Sequence, residues 1–303
     1  MDRRNFLRTS AVTAAGLSVA GLPFSAFAAD VGYHKLTILH TNDLHSRIEP
    51  FESGRNKGLG GFARRAALID KIRAQEKNVL LLDAGDIFQG TPYFNFFGGE
   101  LEMKLMSEMG YDAATIGNHD FDAGIDGLEK QLVHTNFPLL SSNYDFTDTI
   151  MHNKTKDALI VKKGKLKIGI FGLGIELDGL VPEKLYGNTK YLDPLPIALA
   201  SAGRLKHDED CDFVILLSHL GYKYRSSRVS DMTLAEQSKD IDLIIGGHTH
   251  TFLREPTVVA NAEGKTMLVN QVGFGGINLG RIDVYFSKDR TSRYTKSEVV
   301  PVK

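Results

Sequence analysis

The chain has 303 residues, of which 42% are hydrophobic and 24% are charged, and these values are typical of a globular protein. Its formal net charge of -1 excludes a global field that would attract a nucleic-acid polymer or an anionic membrane. The single cysteine, Cys211, excludes an intramolecular disulfide. The class of function must therefore be read from local features of the chain.

The N-terminal residues have the composition of an export signal. The paired Arg3 and Arg4 resemble a twin-arginine signal, and a mildly apolar stretch follows them. Ala26-Phe27-Ala28 matches an A-x-A cleavage site. Because the apolar stretch is shorter than the ~20 residues of a spanning helix, an uncleaved anchor is disfavoured. We predict a signal peptide at residues 1–28, a single catalytic domain at residues 29–303, a periplasmic location and no stable membrane span.

Short apolar runs alternate with helix-like stretches along the rest of the chain. This alternation predicts an α/β fold built from layers of strands and helices. The predicted strands are residues 36–39, 79–82, 113–116, 139–140, 167–171, 213–217, 243–245 and 267–269. The predicted helices are residues 61–75, 99–109, 124–134 and 196–206. Residues 267–300 have turn glycines and alternating polarity, which predicts extra strands and is compatible with antiparallel pairing.

Residue types that bind metals follow five of the predicted strands directly. They are Asp43 and His45, Asp86, Asn118, His219, and the pair His248 and His250. Ligand sites in open α/β sheets form at the carboxyl ends of the strands, so we expect these side chains to meet at one edge. A single histidine at a strand end is more often structural, but the joint pattern predicts a metal site. Glycines are expected to let the chain turn sharply there, at Gly85, Gly117, Gly246 and Gly247.

The donor set suits two cations rather than one. Carboxylate, amide oxygen and imidazole are ligands that Zn, Mn and Fe all accept. With Asp86 as a bridge, one cation would bind Asp43, His45 and His250, and the other would bind Asn118, His219 and His248. Two divalent ions about 3.5–4 Å apart can bind a phosphate, generate a hydroxide nucleophile and stabilise an in-line displacement. We therefore expect two divalent metal ions per chain as cofactors.

Two polar residues beside Asn118 are candidates for acid catalysis. His119 and Asp120 could form a dyad in which Asp120 orients His119 and His119 protonates the leaving oxygen. Beyond the metals, the candidate contacts to the substrate are Asn42, Asn118 and His119. The aromatic segment at residues 91–97 follows Asp86 closely. It could stack a base beside the site or form a hydrophobic plug under a loop.

Together these motifs resemble the calcineurin-like metallophosphoesterase family, and its 5′-nucleotidase branch in particular. The resemblance is carried by residues 38–46, 83–91, 118–124, 218–219 and 247–250, with residues 60–65 similar to an early helix of the branch. It implies a four-layer α/β/β/α sandwich of two mixed sheets flanked by helices, with a dinuclear centre between the sheets. It also implies the same division of the ligands and the same pair of His119 and Asp120, although the branch commonly has Glu at position 120.

The resemblance implies a dinuclear-metal phosphoesterase that hydrolyses phosphomonoesters, with 5′-nucleotides as the expected small-molecule substrates, and the predicted signal peptide adds export. Full-length 5′-nucleotidases carry a C-terminal domain that binds the nucleoside. This sequence ends at Lys303, where the catalytic domain is expected to end. Specificity for nucleotides therefore does not follow directly from the resemblance. A separately encoded substrate-binding domain is a candidate partner.

Four alternatives stay open at this point. The first is a phosphodiesterase acting on 2′,3′-cyclic nucleotides, and the second is thiosulfohydrolase-like chemistry, which a related exported branch performs. The third is a catalytic subunit that needs its partner domain for turnover. The fourth is a metal-binding protein without catalytic activity, and the presence of His119 and Asp120 argues against it.

Overall fold

The structure is a computed structural model that describes residues 33–303. The predicted signal peptide lies outside these residues. Within the described part of the chain, no helix combines the length and the apolar character needed to cross a bilayer.

Fourteen strands form two large sheets and one small one in the described residues. The strands are β1 (His34–Thr41), β2 (Val79–Asp83), β3 (Ala113–Thr115), β4 (Leu139–Leu140), β5 (Tyr144–Asp145), β6 (Ala158–Lys163), β7 (Leu166–Leu173), β8 (Lys190–Tyr191), β9 (Phe213–Ser218), β10 (Leu243–Gly246), β11 (Thr257–Ala260), β12 (Thr266–Asn270), β13 (Asn278–Phe286) and β14 (Arg293–Pro301). Each of the eight predicted strands is present, with ends shifted by a few residues at most.

Seven α-helices connect these strands within residues 33–303. They are α1 (Phe62–Gln75), α2 (Pro92–Phe97), α3 (Glu100–Glu108), α4 (Ile125–Gln131), α5 (Glu183–Tyr186), α6 (Pro194–Gly203) and α7 (Asp231–Gln237). Single 3₁₀ turns lie at Gly54–Asn56, His119–Phe121 and Leu132–His134, and a π-helical turn at Arg204–Asp208 continues α6. The four predicted helices correspond to α1, α3, α4 and α6.

The two large sheets share one plan. The first has the order β14-β13-β1-β2-β3-β4, and β1 to β4 run parallel to one another. The second has the order β11-β12-β10-β9-β7-β6, and its four middle strands are also parallel. Antiparallel strands complete the edges, including the β13–β14 pair at the C-terminal end. Both sheets are therefore mixed, as the sequence predicted.

The side chains along each strand point alternately to its two faces, and this divides the hydrophobic core into layers. In β2, Leu80 and Leu82 pack in the cluster between the sheets, whereas Leu81 packs with the helices on the outer face. In β9, Ile215 and Leu217 point inward, and Val214 and Leu216 pack outward against α6 and α7. Successive side chains of a strand point to opposite faces, so strands buried on both faces read as continuous apolar runs. The result is the predicted order of helices, sheet, sheet and helices.

The elements that sequence analysis missed are short or lie at a sheet edge, and they are strands β5, β6, β8 and β11 and helices α2, α5 and α7. Strand β6 has mostly half-buried side chains and ends in two lysines, as expected of an edge strand. Helix α7 has only seven residues, and a capping box between Ser230 and Thr233 marks its start.

Candidate metal centre

The five predicted strand ends meet where the two sheets face each other. Strands β1, β2 and β3 of the first sheet and β9 and β10 of the second deliver the candidate ligands to this rim. The backbone N–H of His248 donates to Asp43 Oδ1 at 2.9 Å, which joins the second sheet to the first. A second link joins Nδ1 of His219 to the carbonyl oxygen of Ala84 at 2.7 Å. The geometry brings together residues that are up to 207 positions apart in the chain, from Asp43 to His250.

One group of ligand atoms consists of Asp43, His45 and His250. Their ligand atoms lie within 4.8 Å of one another. The Nε2 atoms of His45 and His250 are 2.9 Å apart, and Asp43 Oδ1 lies 3.4 Å from Nε2 of His250. Three donor atoms that converge this closely on one point form a cradle suited to a cation.

A second group consists of Asp86, His219 and His248. Asp86 Oδ2 lies 3.1 Å from Nε2 of His219. Asn118 joins this group, because its Oδ1 is 2.8 Å from Nδ1 of His248. The first group contains the three residues predicted for one cation, and the second contains both histidines predicted for the other. The division of these residues between two cations stays a prediction.

A buried polar atom of the second group tests whether these residues fit a cation. His219 is fully buried, and its Nε2 has no hydrogen-bond partner among the described residues despite its proximity to Asp86. Since Nδ1 is directed at the Ala84 carbonyl, Nε2 is the lone-pair nitrogen in the neutral ring. A buried polar atom without a partner costs free energy, and a bound cation would remove that cost. The residues present therefore fit a divalent metal.

The backbone at the candidate ligands is strained. Positive φ angles occur at Asp43 (51°), His45 (48°), Asp86 (56°), His248 (69°) and His250 (51°). Few non-glycine residues adopt this left-handed region, and such strain persists where the surrounding structure enforces it. Five of the seven candidate ligands share this conformation, so the surrounding structure must hold them in it.

Two of the glycines at the strand ends have different physical roles. Gly85 has a φ of 86°, so it makes the turn that the sequence predicted. Gly117 is not in the left-handed region, but a Cβ there would collide with the carboxylate and the backbone nitrogen of Asp86. Its role is to give Asp86 room rather than to turn the chain.

The electrostatics of the two groups follow from burial and from the two carboxylates. Burial lowers the pKa of His45, and it lowers the pKa of His248 to about 4, which favours the neutral imidazole that binds metals. Burial also opposes the charged form of His219, but Asp86 and Asp43 outweigh it and raise the pKa of this histidine to about 10. The carboxylates thus attract positive charge to the centre, and a metal ion would meet the same attraction.

Comparison with known proteins assigns the family. Residues 36–252 match the family model described as calcineurin-like phosphoesterase, and this match covers all seven candidate ligands. The chain belongs to this family.

Known 5′-nucleotidases share both sequence and fold with this chain. Snake venom 5′-nucleotidase of Crotalus adamanteus is 35% identical over 300 residues, which cover 92% of this chain and 49% of the venom protein. A 5′-nucleotidase precursor from Thermus thermophilus superposes with a TM-score of 0.79 at 33% identity, over 89% of this chain and 55% of that one. NAD nucleotidase of Haemophilus influenzae gives a TM-score of 0.76 at 30% identity, over 89% of this chain and 50% of that one. The chain spans about half the length of these relatives.

The predicted contact between His119 and Asp120 is wrong. In the structure, Nδ1 of His119 lies 2.8 Å from Oδ2 of Asp122. The reason is the 3₁₀ turn at His119–Phe121, which places residues i and i+3 on the same side and directs adjacent residues apart. Asp122 raises the pKa of His119, against the opposing effect of partial burial. The sequence contains the spacing His-x-x-Asp, which would have indicated this pair once the turn was recognised.

Asp120 instead organises the backbone around Asp86. Its two carboxylate oxygens accept hydrogen bonds from the backbone N–H groups of Gly117, Asp86, Ile87 and Phe88, at 2.8 to 3.1 Å. The side chain is 1% exposed, and burial together with the charge of Asp86 raises the pKa of Asp120 to about 7. Asp120 therefore fixes the loop that carries Asp86 and does not orient His119.

Asn42 is not available to a substrate, contrary to the sequence-based prediction. The residue is buried, and its Oδ1 accepts the N–H of Val272. Its Nδ2 donates to Asp43 Oδ2 and to the carbonyl oxygen of Gly273, each at 2.6 Å. Every polar atom of the side chain is occupied, and Asn42 positions Asp43 instead. The partner loop lies 230 residues away, so no local pattern could have indicated this contact.

The aromatic segment at residues 91–97 contains a hydrophobic plug, and its role in stacking a base stays a prediction. It forms α2, and Phe94 is buried against Phe88 at a ring distance of 5.6 Å, as a hydrophobic plug. Phe96 and Phe97 are exposed, and Tyr93 stacks on Phe97 at 6.5 Å. The aromatic ring that contacts a candidate ligand is a different one, Phe274, which sequence analysis missed.

Proposed function

We propose that this chain is an exported, dinuclear-metal phosphoesterase that hydrolyses phosphomonoesters, with 5′-nucleotides as its substrates. The observation that carries the proposal is the position of Asp86 Oδ2, which faces His219 of one ligand group and His45 of the other, at 3.1 and 3.9 Å. A carboxylate placed between two groups of nitrogen and oxygen donors is suited to bridge two cations.

Each cation would have its own set of protein ligands. Asp43, His45 and His250 would hold one, Asn118, His219 and His248 would hold the other, and Asp86 would be shared. When bound, a pair of Zn, Mn or Fe ions supplies the Lewis acidity that neutralises a phosphate and activates water for attack. Asn118, which is 6% exposed, is a candidate for contact with both the metal and the phosphate.

His119 is the proposed general acid. Its side chain is 39% exposed beside the centre, and its ring lies 5.3 Å from that of His45. The contact with Asp122 occupies Nδ1, so Nε2 is free to hold the proton that a leaving alkoxide needs. The raised pKa of His119 keeps the ring protonated to higher pH than an ordinary histidine. In this proposal Asp122 takes the orienting role, and Asp120 holds the loop of Asp86.

The nucleotide as substrate is proposed from the relatives. Several proteins that are at least 30% identical over most of this chain are named 5′-nucleotidases, including those of Crotalus adamanteus and Bos taurus. The matched region covers only about half of each of those proteins, so the preference for nucleotides needs a direct test on this chain.

The experiment is a panel of phosphoesters offered to metal-loaded protein beginning at residue 29. Adenosine 5′-monophosphate, 2′,3′-cyclic AMP and 4-nitrophenyl phosphate are compared, and Asp86→Ala serves as the control for contaminating activity. We expect the monoesters to be hydrolysed and the cyclic diester to be a poor substrate. The proposal fails if no ester is turned over faster by the parent protein than by Asp86→Ala, or if the cyclic diester is preferred.

Export is proposed from the N-terminal sequence. The pair Arg3 and Arg4, the mild apolar stretch and Ala26-Phe27-Ala28 support a signal at residues 1–28 that delivers the protein to the periplasm. Replacement of both arginines by lysine should retain the protein in the cytoplasm with its full mass. Export of the doubly substituted chain at the normal level would contradict the twin-arginine route.

A further inference from the structure

Three phenylalanine rings form a row that begins at a candidate metal ligand. Phe274 stacks on the imidazole of His250, with ring centres 5.0 Å apart and planes inclined by 17°. Phe252 and Phe51 pack edge-on against Phe274, at 6.0 and 5.9 Å. We call Phe51, Phe252 and Phe274 the aromatic ridge. They come from three segments that are far apart in the sequence.

The ridge is held rigidly by the loop that carries Phe274. The N–H of Gly275 donates to the backbone oxygen of Asp43 at 2.7 Å, and the N–H of Gly273 donates to that of Thr251 at 3.0 Å. Asn42 also binds the carbonyl oxygen of Gly273. The loop is therefore tied to the segments of both Asp43 and His250, and Phe274 has a fixed position relative to the metal centre.

The glycines on either side of Phe274 are required by the ridge itself. Gly273 and Gly275 have φ angles of 90° and 63°, which favour glycine. A Cβ at Gly273 would collide with the ring of Phe252, and a Cβ at Gly275 would lie 2.9 Å from the ring of Phe51. The sequence Gly-Phe-Gly therefore leaves room for the rings of Phe252 and Phe51 to pack against the ring of Phe274. This specific packing indicates that the three rings form a defined surface rather than a chance cluster.

The ridge is open to solvent beside the centre. Phe252 is 47% exposed, and the side chain of His250 at the other end of the stack is 38% exposed. The guanidinium of Arg47 lies 4.3 Å from the centre of the Phe51 ring and adds a cation to the ridge. An exposed aromatic ring beside the proposed hydrolytic centre is suited to a flat aromatic group, because such groups stack on aromatic rings and on arginine.

We infer that the aromatic ridge binds the nucleobase of the leaving nucleoside, with Phe252 as the principal stacking residue. The inference rests on the proposed function, since it places the leaving group of the same reaction. It assigns base recognition to the catalytic domain itself, through residues outside the aromatic segment at 91–97. Stacking of one base changes affinity by about 5- to 150-fold, which sets the size of the expected effect.

The test compares two substrates that differ only in the base. Adenosine 5′-monophosphate and ribose 5-phosphate have the same phosphate on the same sugar carbon, so the ratio of their kcat/KM values isolates the contribution of adenine. We expect the parent protein to prefer the nucleotide. Phe252→Ala should lower kcat/KM for the nucleotide by about 5- to 150-fold and leave ribose 5-phosphate within about twofold of the parent value. Phe274 is unsuited to this test because its ring contacts His250.

The matched control is Phe96→Ala, which removes an exposed phenylalanine on α2. It should leave the substrate ratio unchanged. Equal kcat/KM for the two substrates in the parent protein would overturn the inference. An equal effect of Phe252→Ala on kcat/KM for both substrates would also overturn it. So would a loss of the preference for the nucleotide in Phe96→Ala rather than in Phe252→Ala. In each of these cases phosphomonoester hydrolysis would still stand.

A binding measurement separates the inference from the activity. Adenosine, which has no phosphate, is titrated against the protein, and broadening of its adenine proton signals in NMR reports contact with the base. The ridge predicts broadening with the parent protein and with Phe96→Ala, and a clear loss of broadening with Phe252→Ala. If no ester is hydrolysed but this pattern is observed, the proposed function fails and the base site stands. Equal broadening with the parent protein and Phe252→Ala would overturn the base site.

Discussion

Asp86 contacts both halves of the candidate centre through a single oxygen. Its Oδ2 lies 3.1 Å from Nε2 of His219 and 3.9 Å from Nε2 of His45, and these histidines belong to different ligand groups. The other oxygen, Oδ1, accepts the backbone N–H of His119 at 2.8 Å. One carboxylate therefore couples the two ligand groups to the turn that presents the proposed acid.

Removal of the His119 imidazole should impair proton donation but not metal binding. We expect His119→Ala to lower kcat on adenosine 5′-monophosphate by ~10²–10⁴-fold, because an alkoxide is a poor leaving group without a proton. The loss on 4-nitrophenyl phosphate should be smaller, since nitrophenolate leaves without help. Both rates and the metal content are measured, with the exposed His152→Ala as the control. Equal losses on the two esters would remove His119 from the role of acid.

The contact between Asp122 and His119 should set the alkaline limit of activity. Asp122 raises the pKa of His119, and the proposed acid works only in its protonated form. Asp122→Asn removes the negative charge, so the pKa of His119 falls and the ring loses its proton at lower pH. The alkaline limb of the kcat profile should therefore move to lower pH. Asp126→Asn, a carboxylate in the first turn of α4, is the matched control. An unmoved limb, or one moved to higher pH, would refute the assignment.

Asp120 should matter for stability rather than for proton transfer. Asp120→Ala leaves four backbone N–H groups near Asp86 without their acceptor. Since each buried unsatisfied donor costs roughly 1–3 kcal/mol before relaxation, we expect the free energy of unfolding to fall by at least ~2 kcal/mol. Urea denaturation with a chelator present measures this change, with Asp126→Ala for comparison. Normal stability combined with a loss confined to poor leaving groups would favour the orienting role that the sequence first indicated.

The positions of the candidate ligands could be predicted because they depend on a regular feature of the fold. A buried parallel strand reads as an apolar run, and the carboxyl ends of neighbouring strands lie at one rim. Asp86 and His219 follow such runs directly, so their convergence was predictable without knowledge of the strand order. The alternation of strands and helices predicted the α/β layers, whereas the four-layer order was implied by the family resemblance, and the packing on both faces of β2 and β9 agrees with it.

The remaining features depend on geometry that no sequence pattern specifies. The partner of His119 is set by a three-residue turn, and the role of Asn42 is set by a loop about 230 residues away. Phe274 stands out only when its neighbours Phe252 and Phe51 are known to be adjacent in space. Residue type and spacing predicted which side chains meet at this rim, and the tertiary contacts decided which of them touch.

The number of metal ions bound per chain tests the dinuclear centre most directly. Elemental analysis is applied to the parent protein and to Asp86→Ala after loading with Zn or Mn and removal of excess metal, with Asp126→Ala as the control. Because Asp86 is the proposed bridge, the account predicts two equivalents in the parent protein and the control, and loss of both in Asp86→Ala. A parent protein that binds one equivalent or none, or an Asp86→Ala protein that retains two, would contradict it.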